Sequence, residues 1–397
     1  MARIFLTGAN GQVGKDVELA LLRQGHTVIA ANHRTLDITE ADRVMSAICD
    51  SMPDLVINAA AYTNVEKAED EPSAALNVNA LGPRNIAKAC AACNIPLIHI
   101  STDYVFSDVK RREHRETDPV KPECEYGRSK LEGENCIINS GCRHIIVRTS
   151  WLFGAFGRNF VKIMLSMVQE RSEIAVVCDQ LGNPTPVRPL AEALVIMAQR
   201  ILEDKDFADY GIYHFCGYEP TTWDNFARTI FARAIPMGLL NHDVNVLSIT
   251  SEEFRSKAKR PRDSRLNCDR IREVFGIEPP YWEDYLGEVM HAWGRERQGL
   301  TPVEDYDHTI SIMERITNPE DLQLLAKSMQ EADQQEQQQL QSRQPDQQIQ
   351  QSWPARWSPQ VTSIPELQQK ALWQRGLFAG WHASFRLHGC TLARRLP

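Results

Sequence analysis

The stretch Arg3-Ile-Phe-Leu-Thr-Gly-Ala-Asn-Gly-Gln-Val-Gly14 and the helical segment that begins near Val17 decide the fold class. The apolar run predicts a buried strand, and Gly8, Gly11 and Gly14 predict a tight turn that leads into a helix. Such glycines let the backbone approach a pyrophosphate, and the following helix N-terminus supplies N–H donors. The stretch therefore predicts dinucleotide binding by an α/β protein with a Rossmann doubly wound parallel sheet.

The residues after the second predicted strand bear on the choice of cofactor. This strand covers residues 26–31, and Asn32-His-Arg34 follows it. An NAD site usually has an acidic residue here, which holds the ribose hydroxyls. There is no carboxylate, and the guanidinium of Arg34 suits a 2′-phosphate, so we expect NADPH. Use of NADH stays open, since Arg34 could equally point into solvent.

Three further strands are predicted at residues 54–61, 97–103 and 144–151. Because ligands bind at the carboxyl ends of the strands in such sheets, Thr102 and Asp103 are expected there. Thr102 is placed to hydrogen-bond a substrate carbonyl. Trp151 could cover a sugar or a base, and it could equally be a core residue.

Tyr126-Gly-Arg-Ser-Lys130 is a candidate acid/base pair. Residues four apart on a helix lie on one face, one turn from each other. The positive charge of Lys130 is expected to lower the pKa of Tyr126 toward neutral pH, which would suit proton transfer to a substrate oxygen. The alternative is an ordinary amphipathic helix with a half-buried tyrosine and a surface lysine.

The chain has 397 residues, enough for two domains. We expect a nucleotide-binding core over 1–151, to which segments near 187–203 return, and a smaller substrate-binding lobe over 152–296. Residues 297–397 are predicted to be a poorly ordered, low-complexity extension, with twelve glutamines between residues 330 and 351. The basic end of this extension is either a membrane or partner segment or an appendage without function.

Composition excludes several classes of protein. The net charge of −8 argues against general nucleic-acid binding. There is no apolar run of about 18 residues and no leader sequence, so we expect a cytoplasmic protein with no transmembrane segment. The ten cysteines are scattered and are expected to be reduced thiols. The spacing of Cys90 and Cys93 is attributed to chance, not to a redox or zinc site.

Several motifs occur in one order along the chain, and together they resemble the extended short-chain dehydrogenase/reductase superfamily. Within it, residues 1–293 are similar to the family of dTDP-4-dehydrorhamnose reductases. The motifs are Gly8-x-x-Gly11-x-x-Gly14, Asn58-Ala-Ala-Ala-Tyr-Thr63, Ser101-Thr-Asp-Tyr-Val-Phe106, Tyr126-Gly-Arg-Ser-Lys-Leu-x-Gly-Glu134 and Asp179-Gln-x-Gly-x-Pro-Thr185. The third and the last are the most specific.

The resemblance implies NADPH-dependent reduction of the C4 ketone of a dTDP-linked 6-deoxy sugar. Tyr126 would be the general acid, and Lys130 its partner and a ligand of the nicotinamide ribose. Thr102 would replace the serine that most of the superfamily has. Thr102, Asp103 and Trp151 would contact the sugar. With the residues predicted above, the cofactor-binding set is Gly8, Gly11, Gln12, Val13, Gly14, Asn32, Arg34, Asp37, Ile38, Ala61, Tyr62, Thr63, Tyr126 and Lys130.

Partners and rival functions also follow from the resemblance. The partner is a nucleotide-sugar substrate, and a homodimer is compatible with the family. Some members bind Mg²⁺ between subunits, but its ligands cannot be matched here and no metal is predicted. One alternative function is a non-catalytic, NADP-binding regulatory subunit of methionine adenosyltransferase. Another is a different nucleotide-sugar reductase or epimerase.

Overall fold

The computed structural model describes residues 1–107 and 112–300. The first half of this part alternates strands and helices. Its elements are β1 (Arg3–Thr7), α1 (Gln12–Arg23), β2 (Thr27–Ala31), α2 (Ala41–Ser51), β3 (Leu55–Asn58), α3 (Val65–Asp70), α4 (Pro72–Leu76), α5 (Gly82–Ala92), β4 (Leu97–Thr102), α6 (Glu125–Ile138) and β5 (His144–Thr149).

The second half contains shorter strands between its helices. Its elements are β6 (Leu152–Phe153), α7 (Phe160–Met167), β7 (Glu173–Val177), β8 (Leu181–Gly182), β9 (Thr185–Pro186), α8 (Val187–Glu203), β10 (Gly211–His214), β11 (Thr221–Thr222), α9 (Trp223–Ala234), β12 (Asn245–Ile249), α10 (Ser251–Phe254), α11 (Asp269–Phe275) and α12 (Leu286–Arg297).

A parallel sheet of six strands organises the molecule, in the order β10-β5-β4-β3-β1-β2. The chain moves outward from β1 to β2 and then crosses back to β3 on the other side. In such sheets the crevice outside the carboxyl ends of the strands, at the point where the strand order reverses, receives the ligand. The predicted Rossmann-like fold is confirmed.

Both faces of the sheet are covered, which explains the continuous apolar runs of its strands. Successive strand side chains point to opposite faces. Ile4 and Leu6 belong to a core shared with α1, α8 and α11, whereas Phe5 belongs to the core under α2 and α5. Helix α8 packs against α1, although 163 residues separate the last residue of α1 from the first of α8.

A separate hydrophobic core forms in the second half. It contains Phe153, Phe226 and Trp282 and lies among α7, α9 and α12. The ring of Phe226 meets those of Phe153 and Trp282 edge-on, at centroid distances of 5.6 and 5.0 Å. The division into lobes at residue 151 stays a prediction, and most of the extension predicted over 297–397 lies outside the described residues.

Two element boundaries differ from the sequence expectation. Strand β3 ends at Asn58, three residues before the predicted end. The backbone of Ala59 and Ala60 instead lies directly against Gly8 of the glycine turn. Strand β5 ends at Thr149, and Trp151 follows with a left-handed φ of 44°. The residues that follow both strands therefore lie in loops at the carboxyl edge of the sheet, where ligands bind.

The expectation that all cysteines are reduced is wrong. Cys49 and Cys93 form a disulfide, with 6.1 Å between their Cα atoms. Cys49 lies in α2 and Cys93 directly follows α5, and these two helices pack side by side on one face of the sheet. Cys90 is buried and free. The partners are 44 residues apart in sequence, so no local motif could reveal the pairing.

No helix among residues 1–107 and 112–300 is long and apolar enough to cross a membrane.

Candidate active site

The glycine turn after β1 is packed so closely that side chains at Gly8 and Gly14 would not fit. Gly8 adopts a φ of +71°, which side chains disfavour, and a Cβ there would lie 2.6 Å from the carbonyl carbon of Ala59. A Cβ on Gly14 would lie 2.1 Å from the Gly8 carbonyl oxygen. The Gly11 N–H donates to the same oxygen at 2.8 Å, and α1 begins at the next residue. This cradle at a helix N-terminus fits a dinucleotide pyrophosphate.

Gln12 and Val13 follow the turn in the first residues of α1. Val13 packs on the core that α1 shares with the sheet. The Gln12 side chain accepts a hydrogen bond from Asn159 Nδ2 at 2.9 Å. Asn159 in turn caps α7, accepting from the Lys162 N–H. The glycine turn is thereby joined to the first helix of the second half of the chain.

The segment after β2 contains four of the predicted cofactor residues. The Asn32 side chain accepts from the Arg34 N–H at 2.9 Å, which turns the chain and leaves Arg34 exposed. Asp37 is exposed, and hydrogen bonds from the Thr39 N–H and hydroxyl lower the pKa of its carboxyl. Ile38 is buried, close to Gly82.

The loop after β3 lies on the other side of the glycine turn. Ala61 and Tyr62 are half-buried and Thr63 is exposed. The Asn79 side chain accepts from the Tyr62 N–H at 2.8 Å and donates to the Tyr62 carbonyl at 3.0 Å. It also donates to the Ser129 hydroxyl at 3.0 Å, so this loop is tied to the helix of Tyr126. Asn79 occupies a π-helical turn, Asn77–Leu81, between α4 and α5.

Thr102, Asp103 and Tyr126 come together at the carboxyl end of β4. The Thr102 side chain lies close enough to Tyr126 to lower the pKa of the phenol in part. Thr102 also donates to Asp103 Oδ1 at 3.1 Å. Asp103 is buried, which raises the pKa of its carboxyl to about 7, although Ser264 and Thr102 act to lower it. Two hydroxyls are thus adjacent where one carbonyl oxygen could meet both.

The prediction that Lys130 lowers the pKa of Tyr126 toward neutral pH is wrong. The pKa of Tyr126 is raised, chiefly by burial and also by the charge of Asp103. Burial outweighs any attraction from Lys130, whose ammonium donates to the Ile100 carbonyl at 2.7 Å. Burial lowers the pKa of Lys130 to about 8, although Glu134 opposes the shift. Tyr126 therefore keeps its proton at neutral pH, as a proton donor must.

Trp151 is in contact with a second indole. Its ring stacks on that of Trp223, with centroids 3.5 Å apart and planes 8° from parallel. Trp223 Nε1 donates to Gln180 at 3.1 Å, and a Cβ on Gly182 would collide with the Trp151 ring. The Trp151 ring is half-buried, so it lines the second hydrophobic core and keeps a surface free. Trp223 was not indicated by the sequence.

The arginine-rich loop over 260–265 is paired with carboxylates. Arg260 donates to Glu66 at 2.9 Å, and Arg265 forms an ion pair with Asp263 at 2.7 Å. Glu66 also accepts from the Lys257 N–H at 3.0 Å, so α3 and this loop are joined. No group of three or more His, Cys, Asp and Glu side chains in the described part of the chain is arranged to hold a metal ion.

The sequence that builds this site matches a known protein family. Residues 2–294 match the family described as the RmlD substrate binding domain. A dTDP-4-dehydrorhamnose reductase from Aggregatibacter actinomycetemcomitans is 41% identical over 290 residues, covering 73% of this chain and 98% of the relative. The chain belongs to the RmlD family of dTDP-4-dehydrorhamnose reductases. As a member of that family it is an oxidoreductase, and the resemblance expected from its motifs is confirmed.

Other relatives and solved structures agree. The dTDP-4-dehydrorhamnose reductase of Escherichia coli is 36% identical and covers 70% of this chain and 94% of the relative. The crystal structure of the Bacillus anthracis reductase in complex with NADP has a TM-score of 0.66 at 36% identity. It covers 73% of this chain and 99% of that one. A UDP-glucose 4-epimerase from Thermus thermophilus, at 18% identity and a TM-score of 0.61 over 74% and 99% of the two chains, shares the fold.

Several buried polar residues of this family member escaped sequence interpretation. Asn58, His99 and Arg148 are each less than 3% exposed, although they lie in otherwise apolar strands. Arg148 forms a buried ion pair with Glu134 at 2.6 Å. The signal that could have revealed them is a hydrogen-bonding residue inside a run such as Leu97-Ile-His-Ile, since buried polar groups need partners.

Proposed function

We propose that this chain reduces the C4 ketone of dTDP-4-dehydro-β-L-rhamnose to give dTDP-L-rhamnose, with NADPH as its reductant. The observation that carries the proposal is that Thr102, Asp103 and Tyr126 lie side by side at the carboxyl end of β4. The relatives at 41% and 36% identity are named as reductases, which favours catalysis over a regulatory-subunit role.

The two hydroxyls have complementary tasks. Tyr126 donates to the C4 carbonyl oxygen, where negative charge develops during reduction, and such stabilisation of a developing charge is a large catalytic effect. Thr102 has one proton, which it donates to Asp103 in the free protein, and it would turn that proton to the C4 oxygen when the substrate binds. Tyr126 then transfers its proton to that oxygen. Its raised pKa keeps the phenol protonated until the oxygen becomes basic. Asp103 accepts a hydrogen bond from Thr102 and so orients that hydroxyl.

Lys130 supplies the compensating charge. Proton loss leaves a tyrosinate on Tyr126, and the ammonium one helical turn away stabilises it. NADPH, when bound, supplies the hydride. The glycine turn would hold its pyrophosphate, and Arg34 its 2′-phosphate. Asp37, Ile38, Ala61, Tyr62 and Thr63 lie on the loops that flank this turn and would line the cofactor.

We further propose that Thr102, Asp103 and Trp151 contact the sugar of the substrate. The free surface of the Trp151 ring can pack on the apolar face of a deoxy sugar. We place the enzyme in the cytoplasm, where nucleotide sugars are substrates, and we expect a homodimer, which size-exclusion chromatography with light scattering would test.

Identification of the product tests the reaction. The full-length protein is incubated with dTDP-4-dehydro-β-L-rhamnose and NADPH, and the product is analysed by NMR. We expect dTDP-L-rhamnose, with one NADPH consumed per sugar. An epimerised sugar without net consumption of NADPH would instead assign the chain to an epimerase activity.

A further inference from the structure

A row of buried polar side chains crosses the sheet behind the proposed active site. Thr7, Asn58 and His99 are register neighbours on β1, β3 and β4 and are each at most 1% exposed. The Thr7 hydroxyl donates to Asn58 Oδ1 at 2.7 Å, and Asn58 Nδ2 lies 2.9 Å from His99 Nδ1. His99 Nε2 lies 3.5 Å from Lys130 Nζ. The row therefore joins the strand that precedes the glycine turn to Lys130.

The backbone fixes the direction of these hydrogen bonds. The Ala60 N–H donates to Asn58 Oδ1 at 3.1 Å, and a backbone N–H cannot reverse its role. The Asn58 oxygen must therefore face Ala60 and Thr7, which leaves the Asn58 amino group to donate to His99 Nδ1. A neutral imidazole that accepts at Nδ1 carries its proton on Nε2. The nitrogen that faces Lys130 is thus an N–H group.

We propose that His99 is a positioning residue for Lys130, held by Asn58 in the tautomer that presents an Nε2–H to the lysine amine. An N–H that faces an ammonium disfavours the charged form of the lysine. The remaining hydrogen bond, from Lys130 to the Ile100 carbonyl, then fixes the position of the lysine amine. This role rests on the proposed function, since it acts through the lysine that is assigned to the tyrosinate.

The other charges around this pair are few. On α6, Glu134 favours the Lys130 ammonium, and Arg148 of β5 neutralises Glu134 through their ion pair. His144 of β5 faces His99 but has its own hydrogen bond, with Nδ1 2.8 Å from the Cys142 carbonyl. The pKa of His99 lies well below its usual value because of burial and the neighbouring lysine, so the ring is neutral when the enzyme works.

The Asn58→Asp variant replaces the side-chain amino group by an oxygen and should reverse the direction of the hydrogen bonds to His99 and Lys130. Its carboxylate would accept from both Ala60 and Thr7 and from a His99 Nδ1–H, so the His99 Nε2 lone pair would accept from Lys130. We expect the alkaline limb of the pH profile of kcat/KM to move upward by about one pH unit, because the ammonium gains an acceptor. An unmoved limb, or one that moves to lower pH, would overturn the proposal.

A second measurement needs neither substrate nor a folded variant of Asn58. In the full-length protein with ¹⁵N-labelled histidine, the His99 resonances are identified by their loss in His99→Gln. We expect an unprotonated Nδ1 and a protonated Nε2, and the opposite tautomer would overturn the inference. Wild-type protein without reductase turnover would defeat the proposed function and leave this measurement decisive for the tautomer.

His144→Gln is the matched control, because it changes a histidine beside His99 that has no contact with Lys130. Its pH profile should coincide with that of the wild type. A shift as large as that of Asn58→Asp would mean that any change near this strand moves the profile, and would count against the proposal.

Discussion

Replacing Tyr126 with phenylalanine removes one oxygen atom and, on this account, the proton donor. The ring is half-buried and meets that of Tyr104 edge-on at 5.5 Å, and phenylalanine keeps both features. Phenylalanine loses only the interaction of the phenol oxygen with Thr102, so the variant should fold. A positioned acid contributes roughly 10²–10⁴-fold to the rate, which corresponds to about 2.7–5.4 kcal/mol of transition-state stabilisation.

The assay follows NADPH absorbance at saturating sugar nucleotide, with cofactor affinity measured separately by fluorescence titration. We expect kcat of Tyr126→Phe to fall by about two to four orders of magnitude while the Kd of NADPH changes little. Tyr104→Phe removes a hydroxyl from the neighbouring ring and should keep kcat near the wild-type value. Turnover of Tyr126→Phe within about tenfold of the wild type would refute the assignment of the acid.

Three further predictions concern the same site. Lys130→Met should lower kcat by about 10²–10³-fold, which is the usual effect of losing one group that stabilises the transition state. The wild-type kcat should fall as the pH rises through about 8, because Lys130 then loses its positive charge. Stopped-flow rates measured against pH test both predictions. Asp103 has a folded pKa of about 7, above its unfolded value, so it makes the protein less stable as the pH rises from about 4 to 7. The free energy of unfolding, measured with urea, should therefore fall by about 4 kcal/mol less over this pH range in Asp103→Asn than in the wild type. An equal fall in both proteins would contradict the effect of burial on Asp103. Gly14→Ala should weaken NADPH binding more than tenfold by calorimetry, because its Cβ would lie 2.1 Å from a carbonyl oxygen. Gly25→Ala is the control: its φ of +74° costs some stability, but its Cβ meets nothing within 4 Å, so NADPH should bind normally.

The parts of the fold that depend on local sequence were predictable. The strand, turn and helix over residues 3–23 follow from one apolar run and three glycines, and the structure forms them within a few residues of the expected positions. Thr102 and Tyr126 were placed together because strand ends and helix starts share one edge of a parallel sheet. The family motifs fixed the same residues independently.

The properties that were predicted wrongly depend on distance in space. The pKa of Tyr126 is set by burial and by Asp103, whereas spacing along the helix suggested control by Lys130. The Cys49–Cys93 disulfide requires two helices to pack side by side. The tautomer of His99 depends on a backbone N–H of residue 60. None of these relations is encoded in a short motif, because each joins separate segments.

We propose that this chain is an NADPH-dependent reductase of the dTDP-4-keto-6-deoxy sugar. The most direct test is the loss of reduced-nicotinamide absorbance when dTDP-4-dehydro-β-L-rhamnose is added, with NADPH and NADH compared side by side. We predict rapid oxidation that is faster with NADPH, because no acidic residue follows β2 and the Arg34 guanidinium lies two residues after Asn32. Confirmed cofactor binding without any oxidation would contradict the account.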